Sequence, residues 1–253
     1  MRIIIGSACL GLFISGACAA DPLRIFGTEL RGVFEPDGTG PYHEAFELLT
    51  DGYDQPVELK MAPLKRAENQ FVQRGSDCLF AGSAVAGYYE PFGLSGKQLL
   101  VSDPIFTFKM KLYGPKGADP IEEFESLKGK MIAIDTGVGN VPFIAEQMGH
   151  PADLVLPSRT LQQGFQLLDI GRVAALVAVD LDVRFLQARE PGYLGYPVSR
   201  DLSVLESKDV VVCHKGPQTE AFIAHINRSA RALNCGRTLE ALLDRYLVGL
   251  TPQ

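Results

Sequence analysis

Met131-Ile132-Ala133-Ile134-Asp135-Thr136-Gly137-Val138-Gly139-Asn140 passes from an apolar run into a turn carrying two glycines. The apolar run predicts a buried strand at 131–134. Pro142 just beyond the turn predicts a helix at 142–148, because proline suits the first turn of a helix. The same alternation continues downstream: a strand at 154–156, a helix at 160–170 stopped by Gly171, a strand at 174–179 and a helix at 183–189. Strands separated by helices of about ten residues need crossover connections, and therefore a parallel sheet.

Working back from that unit, which begins near Gly114, strands are expected at 23–27, 57–61 and 78–81. Helices at 41–50 and 64–74 separate them, the second ended by Gly75, where a left-handed stop is easily adopted. Ser102-Asp103-Pro104 introduces an extended segment at 106–113 whose Thr107, Lys109 and Lys111 form one wet face. Working forward, 192–203 reads as irregular, 209–214 as a strand, and 219–234 and 239–247 as amphipathic helices. No internal repeat or low-complexity segment interrupts this α/β pattern.

The chain of 253 residues carries 24 Lys+Arg against 30 Asp+Glu, a formal charge of −6. It has no basic run, which argues against a nucleic-acid partner or an anionic membrane surface. Residues 1–20 read as a secretory signal peptide: Arg2, an apolar stretch from Ile3, and Ala17-Cys18-Ala19-Ala20 before Asp21-Pro22. A membrane anchor and a lipoprotein acylated at Cys18 are the rival readings. Cleavage after Ala19 or Ala20 leaves 23 basic against 30 acidic residues, a formal −7, on a mature protein expected in the periplasm and not embedded in a membrane.

Of the five cysteines, Cys78, Cys213 and Cys235 lie beyond residue 20. In an oxidising compartment Cys213 with Cys235 is the candidate disulfide, closing a strand onto the end of the following helix, and Cys78 is then a buried thiol. The alternative is that all three are small buried residues. The four histidines are scattered without ligand spacing, and no C-x-x-C pair occurs, so neither a metal nor a cofactor is expected.

Several stretches in this order resemble the bacterial family 3 extracellular solute-binding proteins, the periplasmic receptors of polar amino-acid ABC importers. They are Met61-Ala62-Pro63-Leu64-Lys65-Arg66-Ala67, Arg74-Gly75-Ser76-Asp77, Val101-Ser102-Asp103-Pro104-Ile105-Phe106, Leu127-Lys128-Gly129-Lys130 and Leu176-Val177-Ala178-Val179-Asp180. The strand-and-helix ending from Val211 to Tyr246 completes the set. The resemblance implies a two-lobed, type II periplasmic-binding-protein-like α/β fold. Each lobe would be a mixed, mainly parallel sheet flanked by helices, with two hinge crossovers and the ligand in the cleft. Carried onto this chain, lobe 1 is 21–108 plus 200–253 and lobe 2 is 109–199.

The ligand-binding candidates follow from chemistry and position. Thr136, Gly137, Val138, Gly139 and Asn140 form a strand-to-helix turn whose backbone N–H groups suit an anionic or carbonyl group, or else form an ordinary tight turn. The spacing does not match a dinucleotide fingerprint. Asp180 ends a buried strand, where parallel sheets present side chains to a crevice, and matches the family's amine-binding Asp; helix capping is its alternative. Arg66 is a candidate carboxylate clamp or a solvated helix residue. Phe34 and Glu35 are candidates for a wall and an acid at the cleft mouth, and Tyr42 and the pair Tyr88-Tyr89 for ligand stacking.

The departures from the family are as informative. Its amino-acid binders carry a Thr and an Arg after the third strand, whereas this stretch is Ala81-Gly82-Ser83-Ala84-Val85-Ala86-Gly87-Tyr88-Tyr89-Glu90, with no Arg. Ser83 remains there as a polar candidate. Val138 stands where the turn has a Thr, and Gly40-Pro41-Tyr42-His43 replaces a Gly-Phe-Asp signature. The expectation is a non-enzymatic receptor for a small polar solute, handed to an inner-membrane ABC permease. Its alternatives are a dehydratase-like enzyme using Glu35 or Glu90 as the acid, and an accessory or sensory protein of an exported pathway.

Overall fold

A computed structural model describes residues 21–85 and 87–250; the expected signal peptide lies outside the described residues. β1 (Leu23–Thr28) buries Leu23 and Ile25 while Arg24 stays in solvent. Pro41 opens α1 (Pro41–Thr50), which returns the chain to β2 (Val57–Ala62), and α2 (Leu64–Val72) carries it on to β3 (Cys78–Ser83). β2 and β3 pair with β1 from opposite sides, both parallel to it. Short β4 (Leu99–Val101) and long β5 (Phe106–Tyr113) follow.

The second series repeats that logic. β6 (Ile132–Asp135) leads through α3 (Val141–Gln147) to β7 (Val155–Ser158), then through α4 (Leu161–Asp169) to β8 (Ala175–Val179) and α5 (Asp180–Arg189). β7 and β8 flank β6, again in parallel. Ile132, Ala133 and Ile134 are covered on both faces, which is why the strand reads as a continuous apolar run instead of an alternation. β9 (Leu205–His214), α6 (Pro217–Cys235) and α7 (Thr238–Leu250) complete the chain.

Two antiparallel strands join the two series. Phe106 to Met110 of β5 pair with Asp209 to Leu205 of β9. Beyond that overlap, Met110 to Tyr113 pair with β8, while β9 runs the other way to pair its Asp209–Cys213 end with β3. The strand order is therefore β2-β1-β3-β9-β5-β8-β6-β7, with β4 also on β9. β9 begins at Leu205, earlier than its apolar run suggests, because Glu206 and Lys208 make that end look like loop. The ladder with β5 supplies the missing order.

Apolar clusters form on both sides of this junction. Ile25, Phe34, Tyr42, Phe80, Phe106, Val211 and Phe222 share one, and Met110, Leu112, Ile132, Ile144 and Val177 share another. α5 links the two halves: Phe185 packs into the first of these clusters, whereas Val183 and Leu186 pack with Phe165 and Leu176.

The cysteine expectation needs correction. Cys78 and Cys213 are bonded, with Cα atoms 4.0 Å apart, and Cys235 is free and exposed. The β3–β9 register sets Cys78 directly opposite Cys213. Cys235 ends a helix of 19 residues that starts just after β9, so it is carried roughly 28 Å away from the strand. Peptide mapping without reduction is expected to recover a Cys78–Cys213 crosslink with Cys235 alone alkylated. Replacing the bonded pair by Ala should lower urea-unfolding stability by about 2–5 kcal/mol, whereas Cys235→Ser should leave it unchanged.

Candidate ligand-binding cleft

Parallel strands end in side chains and helix N-termini that face a common crevice, and here both series point their ends at one. From the first series come Thr28 at the end of β1, Tyr42 of α1, Glu68 of α2, and the Ala81-Gly82-Ser83 end of β3. The second contributes Gly137 of the turn after β6, Ile144 of α3, Val179 of β8 and Asp182 of α5. Phe108 and Met110 of β5 and Asp209 of β9 span the junction. Together they enclose a cavity of about 80 Å³. A single water needs about 10–15 Å³ on this measure, so the space suits a compact ligand.

β3 reaches the cavity through a bulge. Ala81 has φ 61°, and the register with β9 shifts between Phe80 and Gly82. Bulges of this kind turn backbone and side chains out of the ladder, and this one presents Ala81, Gly82 and Ser83 to the cavity. Gly139 serves a different purpose. Its φ is +96°, and a Cβ there would lie 2.6 Å from the Tyr88 hydroxyl, so glycine lets Tyr88 of the first series approach the turn of the second.

The polar chemistry of the cavity is acidic. Asp209 is buried and accepts the Tyr42 hydroxyl hydrogen bond at 2.5 Å. Desolvation pushes its carboxyl up to about 7, with the Tyr42 bond opposing the shift. Asp182 is also pushed up to about 7, first by desolvation, then by the negative charges of Asp135 and Asp209, against the opposing charge of Arg189. Glu68 accepts a bond from the Tyr88 hydroxyl at 2.6 Å, and burial again raises its pKa. Both tyrosine hydroxyls are held in their neutral, donating form by burial and the adjacent carboxylates.

The sequence candidates divide clearly. Tyr42, Ser83, Tyr88 and Gly137 line this cavity. Thr136, Gly139 and Asn140 line a neighbouring pocket with Lys65 and Glu68. The Asn140 side chain caps α3 by accepting the Phe143 N–H at 3.2 Å. Val138 belongs to the same turn, and its side chain lies outside the description. Part of the turn's anion-binding capacity is engaged by the chain itself. Gly137 and Thr136 N–H groups stabilise the charged form of the chain's own Asp135, whose carboxyl burial nevertheless raises to about 6.

The other four candidates line none of these pockets. Phe34 is fully buried between Tyr42, His43 and Phe80. Glu35 accepts a hydrogen bond from the Gly32 N–H, and Arg66 is exposed on α2. Asp180 accepts the Tyr113 hydroxyl at 2.8 Å in the first turn of α5, and the carboxylate in the cavity wall is instead Asp182. Glu90, the other acid considered for a lyase, is exposed.

Thr28, Glu68, Asp182 and Asp209 were missed. Two of them leave a trace in the sequence: Glu68 sits among Leu64, Ala67 and Phe71 on the apolar face of α2, and Asp209 heads Val210-Val211-Val212. An acid inserted in an apolar pattern is the signal that identifies both.

No protein-family model matches the sequence, and no curated protein matches it. Solved structures do. The GluR0 ligand-binding core in complex with L-glutamate superposes with a TM-score of 0.73 at 16% identity, covering 90% of this chain and 99% of that one. The fold is that of the two-lobed periplasmic binding proteins. A histidine kinase sensor domain described as similar to periplasmic binding proteins gives 0.68 at 13% identity, covering 89% of this chain and 96% of that one. The substrate-binding protein of an amino acid ABC transporter gives 0.66 at 16%, covering 89% and 99%. The cavity above is lined from both strand series of this fold. Among the described residues no helix is long and apolar enough to cross a membrane.

The raised carboxylates have a consequence for stability. Folded Asp182 and Asp209 hold their protons to about 7, above the unfolded value of about 4. Their contribution is therefore fully present below the unfolded pKa and lost as the pH rises through the folded one. The melting temperature of the ligand-free protein should fall between about pH 4 and 7 and level off above that, opposite to the trend of salt-bridged carboxylates. Asp209→Asn should flatten that slope in a pH series of thermal melts.

Proposed function

We propose that the chain is an exported solute-binding receptor that captures a small polar ligand between its lobes and delivers it to an inner-membrane ABC permease. The observation that carries this reading is the cavity itself, walled by strand ends of both series with β5 and β9 running through the junction. A ligand contacting both walls favours the closed arrangement over the open one by its differential affinity, and closure creates the surface a permease recognises. Lobe 1 as 21–108 plus 200–253 and lobe 2 as 109–199 suits the course of β5 and β9, with Phe185 of α5 as a second link between them.

Fold relatives of several roles support the receptor reading at the level of architecture: a ligand-binding core, a sensor domain and a transporter's substrate-binding protein. Export to the periplasm rests on the pattern of residues 1–20. The dehydratase alternative loses its nominated acids, since neither Glu35 nor Glu90 lines the cavity.

Thermal-shift screening against amino acids, amines, organic acids and sugars tests the reading, followed by small-angle scattering on each hit. A ligand that raises the melting temperature, lowers the radius of gyration and is recovered unchanged is the expected result. Chemical conversion of the ligand would overturn it. Gly139→Val, which drives a side chain toward the Tyr88 hydroxyl at a positive φ, should weaken ligand affinity by roughly tenfold or more while the domain still folds, as overpacking at a close contact does.

A further inference from the structure

We propose that the cavity takes a compact organic ammonium ion without a carboxylate, held by Asp182 and Asp209, with the Thr28 hydroxyl as a further acceptor. The proposal rests on the receptor reading and specifies its ligand. Three observations carry it. The first is charge: among the described residues lining the cavity are Glu68, Asp182 and Asp209, and none is Lys, Arg or His. The second is Thr28, which is 2% exposed, lines the cavity, and has a side-chain oxygen with no hydrogen-bond partner. A buried hydroxyl left unpaired is unfavourable until a ligand donor reaches it. The third is the rest of the wall, where Leu30, Val33, Phe108, Ile144 and Leu181 offer an apolar body nothing to hydrogen-bond.

Each alternative ligand class meets a physical obstacle. An organic acid would add a negative charge beside Asp182 and Asp209, which it could do only by keeping both of them protonated. A sugar presents many hydroxyls to a largely apolar wall and would leave several unpaired. An amino acid satisfies the acidic wall with its ammonium group, but its carboxylate then needs a cation. Arg31, Arg159 and Arg189 line a neighbouring cavity that shares Leu30, Gly137 and Asp182 with this one, and Lys65 lines another that shares Glu68. The Arg189 guanidinium lies there beside Gly32, and its charge already acts on Asp182. No group of three His, Cys, Asp or Glu among the described residues is arranged to hold a metal ion. A protonated amine with an apolar body meets none of these obstacles. It brings a positive charge to Asp182 and Asp209 inside the cavity, and the rings of Tyr42, Tyr88 and Tyr89 lie in the same wall to favour a cation.

Calorimetry with matched ligands tests this directly. Isoamylamine, leucine and 4-methylpentanoate share one isobutyl body and differ only in carrying an amine, both groups, or an acid; phenethylamine, phenylalanine and 3-phenylpropanoate form a larger set. The amine of at least one set is expected to bind roughly tenfold or more tighter than its amino acid, with the acid not binding. Asp182→Asn and Asp209→Asn should each weaken the amine by roughly 30-fold or more, as removal of one partner of a buried charge pair does. Thr28→Val, which keeps shape and removes only the hydroxyl, should weaken it several-fold and serves if an Asn variant fails to fold.

Tighter binding of an amino acid, lost in Arg189→Met, would overturn the proposal and leave the receptor reading intact. So would an acid or sugar as the only ligand. Absence of binding by every class in both this series and the wider screen would overturn the receptor reading as well.

Discussion

The antiparallel pairing of β5 with β9 is the constraint on which the rest depends. Five residues of each strand overlap, from Phe106 to Met110 and from Asp209 to Leu205. Beyond the overlap each strand continues alone into a different parallel series. That places one set of strand ends opposite the other and makes a crevice between them unavoidable. Asp209, the last residue of the overlap, is held at the centre of the crevice by the same ladder that joins the lobes. The Cys78–Cys213 bond ties β9 to β3 on the first-lobe side, so this end of the junction is fixed covalently as well as by hydrogen bonds.

The crevice is electrostatically unfinished. Several carboxylates on this protein's surface have cationic partners, such as Asp103 with Arg231 and Glu44 with Arg245. In the cavity, Asp209 and Glu68 accept from neutral tyrosine hydroxyls, and Asp182 feels the charges of Asp135 and Asp209 against that of Arg189. A neutral donor relieves little of the desolvation of a buried carboxylate, so protons are retained and the free protein is left with groups that a positive ligand would satisfy better. Stability in the empty state is thereby traded for recognition, which is the usual reason to keep ionisable groups in a cleft.

The order of strands and helices was legible in the sequence because it is written in local patterns. Apolar runs mark β3, β6 and β8, prolines open α1 and α3, and Gly171 marks the end of α4. The site was legible only in part. Tyr42, Ser83, Tyr88 and Gly137, which stand out as aromatics, a lone hydroxyl and a glycine turn near strand-to-helix connections, do line the cavity. Asp180 stands out in the sequence because it directly ends the strand, and nothing local marks Asp182. The two positions face different ways on α5: Asp180 meets Tyr113 from β5, and Asp182 lines the cavity. Arg66 and Phe34 stand in suggestive contexts, but the first faces solvent and the second is consumed by an aromatic cluster.

By itself the sequence determined the alternation of strands and helices, the parallel series it implies, and the lack of a carboxylate-clamping Arg after β3. These depend on periodicity and on residue type, which neighbours in the chain settle. The tertiary structure alone decided which cysteines meet, where β9 begins, and which carboxylates share the cavity. Each of those depends on the register between strands far apart in sequence, such as Cys78 opposite Cys213 and Phe106 opposite Asp209. A shift of one residue in such a register turns every side chain to the other face of the sheet, and no local pattern records it.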